Sequence, residues 1–326
     1  MEGPSMKTPI RIGILGAAKI APGAVIKPAA KRDDVVIACV AARDPGRARA
    51  YADEHGIAEV AEDYAALIAR DDLDLIYNAL PPAGHPEWTI RALEAGKAVL
   101  CEKPFARDAA LARTMTEAAE RTGRTLIEAF HYRYHNVIRR AEAIVRSGEL
   151  GDLVAAEAVF QVTIPFREGE LRWIDEQGGG ALMDLGCYPI HALRTLIGSE
   201  PEVVSASAVL ERGVDVETRA QLRFGEVAAT LATGMNPAAR AARVTLTGTR
   251  GTLDIVNFVA PQIGCSFTVT VDGVARQEDT AGPSTYEAQL AHVVDVLVNG
   301  ATPLTGGADA VANMAVIDAV RAASRA

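Results

Sequence analysis

The sequence predicts an α/β protein with two parts. The first is a doubly wound parallel sheet over residues 1–129, and the second, over 130–326, is an α+β part built on a large, mostly antiparallel open sheet. Three observations predict it. Short apolar runs alternate with helical stretches up to about residue 129. A turn of small residues, Gly13 to Ala21, follows the first run. Beyond residue 150 the pattern changes to alternating segments rich in Val, Ala and Thr, punctuated by Gly and Pro.

Bulk properties narrow the function classes. At 326 residues the chain suits two domains or one large one. Its 49% hydrophobic and 23% charged content is ordinary for a globular protein. A net charge of -9 without a basic cluster argues against a nucleic-acid partner. No window approaches the roughly 18 apolar residues of a membrane span. The start, Met1 to Lys7, lacks the apolar core of a signal peptide, and residues 1–5 are consistent with extra sequence ahead of a start at Met6. Cys39, Cys101, Cys187 and Cys265 are scattered, which predicts reduced structural thiols in a cytoplasmic protein.

Ile10 to Leu15 predicts the first strand. Behind it, Gly16, Ala18 and Ala21 fill the places where a dinucleotide fingerprint needs small residues: the tight turn, the approach of pyrophosphate and the helix–strand contact. Two of the three are alanine, so position between strand and helix carries the weight. Gly13, Gly16, Ala17, Ala18, Lys19 and Ile20 are the candidate cofactor residues here. Val35 to Ala41 predicts the second strand, followed by Ala42-Arg43-Asp44-Pro45. An acid at this point selects the ribose hydroxyls of NAD, whereas an arginine suits the 2′-phosphate of NADP. Ala42 at the selective position and Arg43 behind it lean to NADP. NAD stays open if Asp44 reaches the ribose instead of capping the helix that Pro45 begins.

Gly46 to His55 predicts a helix, Val60 to Tyr64 a short strand or turn, Ala65 to Ala69 a helix, and Leu73 to Leu80 a strand ending at Pro81-Pro82. Asn78, Leu80, Pro81 and His85 sit where that strand would meet a nucleotide. Pro86 to Ala95 predicts a helix closed by Gly96, Ala98 to Cys101 a strand, Asp108 to Thr122 a helix capped by Asp108, and Leu126 to Phe130 a strand. In the second part Tyr132 to Arg146 predicts a helix. Leu153 to Ile164, Val203 to Leu210, Thr218 to Phe224, Val227 to Thr233, Ala242 to Thr247, Thr252 to Val256 and Ser266 to Val271 predict strands. Tyr286 to Asn299 and Ala308 to Ala323 predict closing helices.

Two stretches carry the candidate chemistry. Glu102-Lys103-Pro104 stands at the carboxyl end of a strand, where open sheets bind ligands. Pro104 biases Lys103 away from the helical region. A buried lysine whose pKa falls can move a proton or polarise a hydroxyl. Alone, these residues read as a solvated loop; the second stretch reverses that. Gly178-Gly179-Gly180 lets the backbone pass close to something large, and a helix is predicted from near Met183 to Ile197. Asp184, Tyr188 and His191, spaced by four and three, share one face of it as a carboxylate–phenol–imidazole relay. A phenol beside an ammonium has its pKa lowered and can take a proton from an alcohol. Arg167, Arg172 and Trp173 occupy a polar loop that either lines a sugar pocket or lies on the surface. His131 and His135 have the spacing of a metal pair, but no third ligand is placed nearby, so packing is favoured and no metal is expected.

Together the Gly13–Ala21, Ala95–Pro104 and Gly178–His191 blocks resemble the Gfo/Idh/MocA family (glucose-fructose oxidoreductase, inositol dehydrogenase, rhizopine catabolism) over nearly the whole chain. The last two blocks are highly specific. The resemblance implies a Rossmann domain that binds NAD(P) and a C-terminal domain whose open sheet makes a homodimer or homotetramer. It also implies Lys103 as the shared catalytic residue, with Glu102 beside it at the cofactor. Inositol dehydrogenase-like members carry His-x-x-Asp further along the helix; this chain has Tyr188 and His191. That is similar to the branch with glucose-fructose oxidoreductase, dimeric dihydrodiol dehydrogenase and NADP-dependent xylose dehydrogenase, where a tyrosine pairs with the lysine. The expected function is hydride transfer between a nicotinamide and a sugar, polyol or related diol. Tyr188 is expected as acid/base, Lys103 as its partner, and Asp184 and His191 as positioning residues. The alternative is a nucleotide-binding sensor without turnover. An unrelated dehydrogenase acting on amino acids is disfavoured by the second glycine block.

Overall fold

The computed structural model describes residues 9–325, so residues 1–8, which include the segment ahead of Met6, and Ala326 lie outside the described residues. Six parallel strands form the first sheet: β1 (Ile10–Leu15), β2 (Val35–Ala41), β3 (Glu59–Val60), β4 (Leu75–Asn78), β5 (Ala98–Cys101) and β6 (Leu126–Glu128), in the order β3-β2-β1-β4-β5-β6. Parallel strands covered on both faces need continuous apolar runs, and every residue of β4 and β5 is buried. The order reverses between β1 and β4, and a crevice opens at such a switch point.

A π-helical turn, Pro22–Ile26, runs into α1 (Lys27–Ala29). It is followed by α2 (Pro45–His55), α3 (Tyr64–Ile68), α4 (His85–Glu94) and α5 (Ala109–Thr122). Asp44, Asp63 and Asp108 cap α2, α3 and α5, accepting from the N–H of Arg47, Ala66 and Leu111 at 2.8, 2.7 and 2.8 Å. These bonds satisfy amides that have no partner inside the helix.

The helix predicted from Tyr132 forms as two pieces. A 3₁₀ turn, His131–Tyr134, precedes α6 (Asn136–Arg146), and the His135 Nδ1 between them accepts from the Val137 N–H. The remaining strands are β7 (Leu153–Gln161), β8 (Glu202–Glu211), β9 (Val214–Phe224), β10 (Val227–Gly234), β11 (Ala241–Gly248), β12 (Gly251–Val256), β13 (Ser266–Val271) and β14 (Val274–Gln277). They form an eight-stranded sheet in the order β14-β13-β12-β11-β7-β10-β9-β8, antiparallel except where β7 meets β10. β7 ends at Gln161, short of the predicted Ile164, although the Val162 and Ile164 amides still donate to the carbonyls of Gly234 and Met235 at the end of β10. β14 escaped prediction: it is a short, mostly exposed edge strand without apolar alternation. Along β9, Val216, Thr218, Ala220, Leu222 and Phe224 are buried while Arg219, Gln221 and Arg223 are exposed, so one face is covered and the other open.

The covered face carries α7 (Cys187–Ile197), preceded by a π-helical turn, Leu182–Gly186. Two helices close the chain, α8 (Thr285–Asn299) and α9 (Ala308–Ala323). α8 returns to the first sheet. Its Leu290, Val293, Val294 and Val296 share a core with Ile12, Ile14, Val35 and Leu75, and Glu287 pairs with Lys31. α9 packs against α5, α7 and β8. Among the described residues no helix is long and apolar enough to cross a membrane.

Replacing the cap of α5, Asp108→Ala, should lower stability by about 1 kcal/mol, read as a fall in the urea midpoint with unchanged slope, while Asp108→Ser should keep most of it.

Candidate functional site

The carboxyl ends of β1, β2 and β4 open onto a cavity of about 570 Å³, lined by Gly16, Ala17, Ala18, Ala42, Arg43, Asp44, Arg47 and Tyr64 on one side and Ala79, Leu80, Pro81, Gly84 and Trp88 on the other. It continues into a cavity of about 390 Å³ that adds Lys19, Ile20, Lys103, Arg172 and Asp184. A third, of about 670 Å³, reaches Glu102, Arg167, His131, Tyr188, Arg240 and Tyr286. Ala79 and Leu80 line all three, so they form one groove from Arg43 to Tyr188. Gly16 turns beneath it with φ +96°, and a Cβ there would stand 3.2 Å from Leu80 Cδ2. A left-handed residue at the foot of a narrow trough is what a dinucleotide loop requires.

Three predicted cofactor residues lie outside this groove. Gly13 is a packing glycine inside β1, where a Cβ would come within 2.7 Å of the side chains of Leu67 and Leu73. Asn78 is buried; its amide donates to Thr89 Oγ1 and the His85 carbonyl, and its Oδ1 accepts from the Leu80 N–H. His85 is buried between carbonyls, with Nε2 at 2.7 Å from that of Leu80 and Nδ1 at 3.1 Å from that of Pro104. Burial brings its pKa down to about 4, against the pull of the carbonyls around it. Asn78 and His85 brace the groove wall from behind. Sequence reasoning missed Arg47, whose Nη2 donates to the Ala17 carbonyl at 2.7 Å, and Tyr51, whose hydroxyl donates to that of Ala18 at 3.0 Å. The signal for Arg47 was its place in the first turn after the Asp44 cap.

Lys103 stands past the end of β5, ahead of a cis peptide to Pro104, next to Glu102, which accepts from the Tyr77 phenol. Its Nζ donates to the carbonyl and to Oδ1 of Asp184, both at 2.9 Å. The other carboxylate oxygen of Asp184 accepts from Arg172 Nε at 2.7 Å, and Arg172 Nη1 donates to Glu170 at 3.0 Å. Burial by itself would lower the Lys103 pKa, but the Asp184 carboxylate carries it above its ordinary value. Burial likewise works against the charge of Asp184, and Lys103 and Arg172 overcome it to hold that carboxyl below its usual range. Lys103 is therefore a fixed ammonium, contrary to the lowered pKa expected of a buried lysine.

The predicted relay along one helix face does not form. Asp184 lies in the π turn, whose wider winding shifts it relative to Tyr188 and His191 in α7. Tyr188 lines the groove, and its hydroxyl lies 3.0 Å from His131 Nε2, while Lys103 Nζ sits over its ring face, 4.9 Å from the centroid. Burial pushes the phenol well above its ordinary pKa, contrary to the lowering expected from a neighbouring ammonium. His191 is 1% exposed. Its Nδ1 meets the Tyr132 hydroxyl at 2.6 Å, its Nε2 meets Asp309 at 2.9 Å, and its ring stacks on Phe130. It braces α7 against α9, away from the groove. Arg172 lines the groove, but Trp173 turns inward, donating to the Ile164 carbonyl at 3.0 Å and packing on Phe166. The close approach made by the glycines is to the chain itself: a Cβ on Gly179 would lie 2.7 Å from the Arg172 carbonyl. His131 and His135 diverge to different partners, and no group of three metal-ligating side chains is assembled among the described residues.

The model of an oxidoreductase family with an NAD-binding Rossmann fold, GFO/IDH/MocA, matches residues 10–130, and that of the GFO/IDH/MocA C-terminal domain matches residues 138–254. D-xylose 1-dehydrogenase (NADP(+)) 2 of Haloferax volcanii is 33% identical over 312 residues, covering 94% of this chain and 95% of that protein. The crystal structure of aldose-aldose oxidoreductase from Caulobacter crescentus complexed with glycerol matches with a TM-score of 0.89 and 27% identity over 97% of this chain and 98% of that one. A 3-ketoreductase from Actinomadura kijaniata in complex with NADP and TDP-benzene matches at 0.88 and 29%, with the same coverage. With both family models aligned to the groove-forming halves, the chain belongs to the Gfo/Idh/MocA family of NAD(P)-dependent oxidoreductases.

Proposed function

We propose that this protein transfers a hydride between NADP and the carbinol or carbonyl carbon of a sugar, polyol or related diol, with Lys103 and Tyr188 as its catalytic residues. The observation that carries this reading is the single groove joining the Gly16–Ala18 loop to the Lys103 ammonium and the Tyr188 phenol. The relatives support the substrate class, one acting on xylose and one on aldoses. Asp44 is engaged as a helix cap, and Arg43 and Arg47 line the adenosine end, which supports a 2′-phosphate. Bound NADP supplies or accepts the hydride. The chain handles the proton and the charge. The Lys103 ammonium polarises the substrate oxygen. Tyr188 gives that oxygen a proton in reduction and takes one in oxidation. Asp184 keeps the ammonium charged and aimed, and Arg172 borders the sugar.

The open face of the eight-stranded sheet, with Val204 and Val209 exposed on β8, is the surface we assign to a homodimer or homotetramer. The four unpaired cysteines support a cytoplasmic setting.

A panel of aldoses, polyols and diols, assayed with NADP and NAD by nicotinamide absorbance, should show turnover with NADP preferred; no turnover on the panel with either would refute the proposal. Lys103→Ala should lower kcat by about 10²–10⁴-fold with dinucleotide binding kept. In Asp184→Asn the burial of Lys103 stays while its carboxylate partner goes, so its pKa should fall. The ammonium is present below that pKa and lost above it, so the alkaline limb of the kcat profile should move to lower pH.

A further inference from the structure

We propose that His131 is a positioning residue for the Tyr188 phenol: Thr285 fixes its proton on Nε2, and from there it donates to the Tyr188 oxygen and steadies the phenolate form. This rests on the reading of Tyr188 as the acid/base. His131 opens the 3₁₀ turn after β6, with Nε2 at 3.0 Å from the Tyr188 hydroxyl and Nδ1 at 2.8 Å from Thr285 Oγ1. Thr285 is fully buried at the start of α8, and His131 Nδ1 is the acceptor within reach of its hydroxyl among the described residues. A buried hydroxyl that fails to donate loses its hydration without replacement. The Thr285 O–H therefore donates to Nδ1, and a neutral imidazole then carries its hydrogen on Nε2. Burial brings the His131 pKa down to about 3, so the ring is neutral at working pH. Tyr286 lies against its ring face at 4.1 Å between centroids.

The titratable and charged groups around the phenol are Lys103 and Glu102 from the end of β5, Asp184 and Cys187 around the start of α7, Tyr132 beside His131, and Tyr286 from α8. Lys103 meets the ring face, so the oxygen itself is served by His131. In the reduction direction the Tyr188 O–H bond breaks, an O–H bond forms on the substrate oxygen, and the charge left on Tyr188 faces the imidazole N–H. Oxidation runs the same transfer backward.

The test compares holoenzyme variants on whichever panel substrate turns over fastest, measuring kcat, KM, NADP affinity and the pH profile of kcat. Tyr188→Phe should lose about 10²–10⁴-fold in kcat. His131→Met should lose about 10–100-fold in kcat, the worth of one hydrogen bond to a charged group, with KM and NADP affinity unchanged and the phenol limb moved to higher pH. His131→Gln, which offers an N–H near the place of Nε2, should restore most of the loss. Thr285→Val should shift the limb in the same direction by less. An inactive Tyr188→Phe alongside a His131→Met with the unaltered profile would overturn the role of His131 alone, whereas an active Tyr188→Phe would overturn the reading beneath it. If His131→Met does not fold, an unmoved limb in Thr285→Val together with a fully inactive His131→Gln overturns the proposal.

Discussion

The Asp184 carboxylate is the constraint on which the site depends. One oxygen accepts from Lys103, delivered by the first sheet, and the other from Arg172, delivered by the loop of the second part. Taking such charges out of water is costly, and the arrangement persists because each oxygen has a cationic donor at hydrogen-bond distance. The carboxylate sits in a π turn, and just ahead of it Gly179 passes the Arg172 carbonyl too closely for any side chain. Local winding, glycine placement and the junction between the two sheets thus answer to one ion triad.

In the proposed mechanism Lys103 and Tyr188 divide two tasks between them. The ammonium meets the face of the Tyr188 ring, and the phenol oxygen meets an imidazole. In the proposed mechanism charge is supplied from the end of β5, whereas proton position is governed from the turn after β6. The strands that deliver them, β5 and β6, are buried and adjoin as parallel neighbours.

Much of the architecture was legible in the sequence. β5, β13 and α9 lie where their patterns placed them because apolar runs bounded by glycine, proline or polar residues leave one solution. Lys103 and the Gly16–Ala18 loop follow the ends of β5 and β1, and Tyr188 lies in α7; all of them line the groove, as their stretches in the sequence suggested. The relay was not legible. Spacings of four and three imply one face only on a regular helix, and the π turn is stabilised by contacts distant in sequence. His191, Asn78 and His85 are polar residues in the right stretches that the fold spends on internal bracing, which one-dimensional position cannot distinguish from lining a groove. His131 looked like packing because its partners, Tyr188 and Thr285, are 57 and 154 residues away.

The return of α8 to the first sheet has a consequence for biogenesis. Tyr286 lines the groove, Thr285 backs His131, and Glu287 reaches back to Lys31 across 256 positions. A ribosome emits the nucleotide-binding layers long before the segment that completes their neighbouring wall. Closing so long a loop is slow compared with forming βαβ units, so the wall of the site is complete only once α8 has been made and docked.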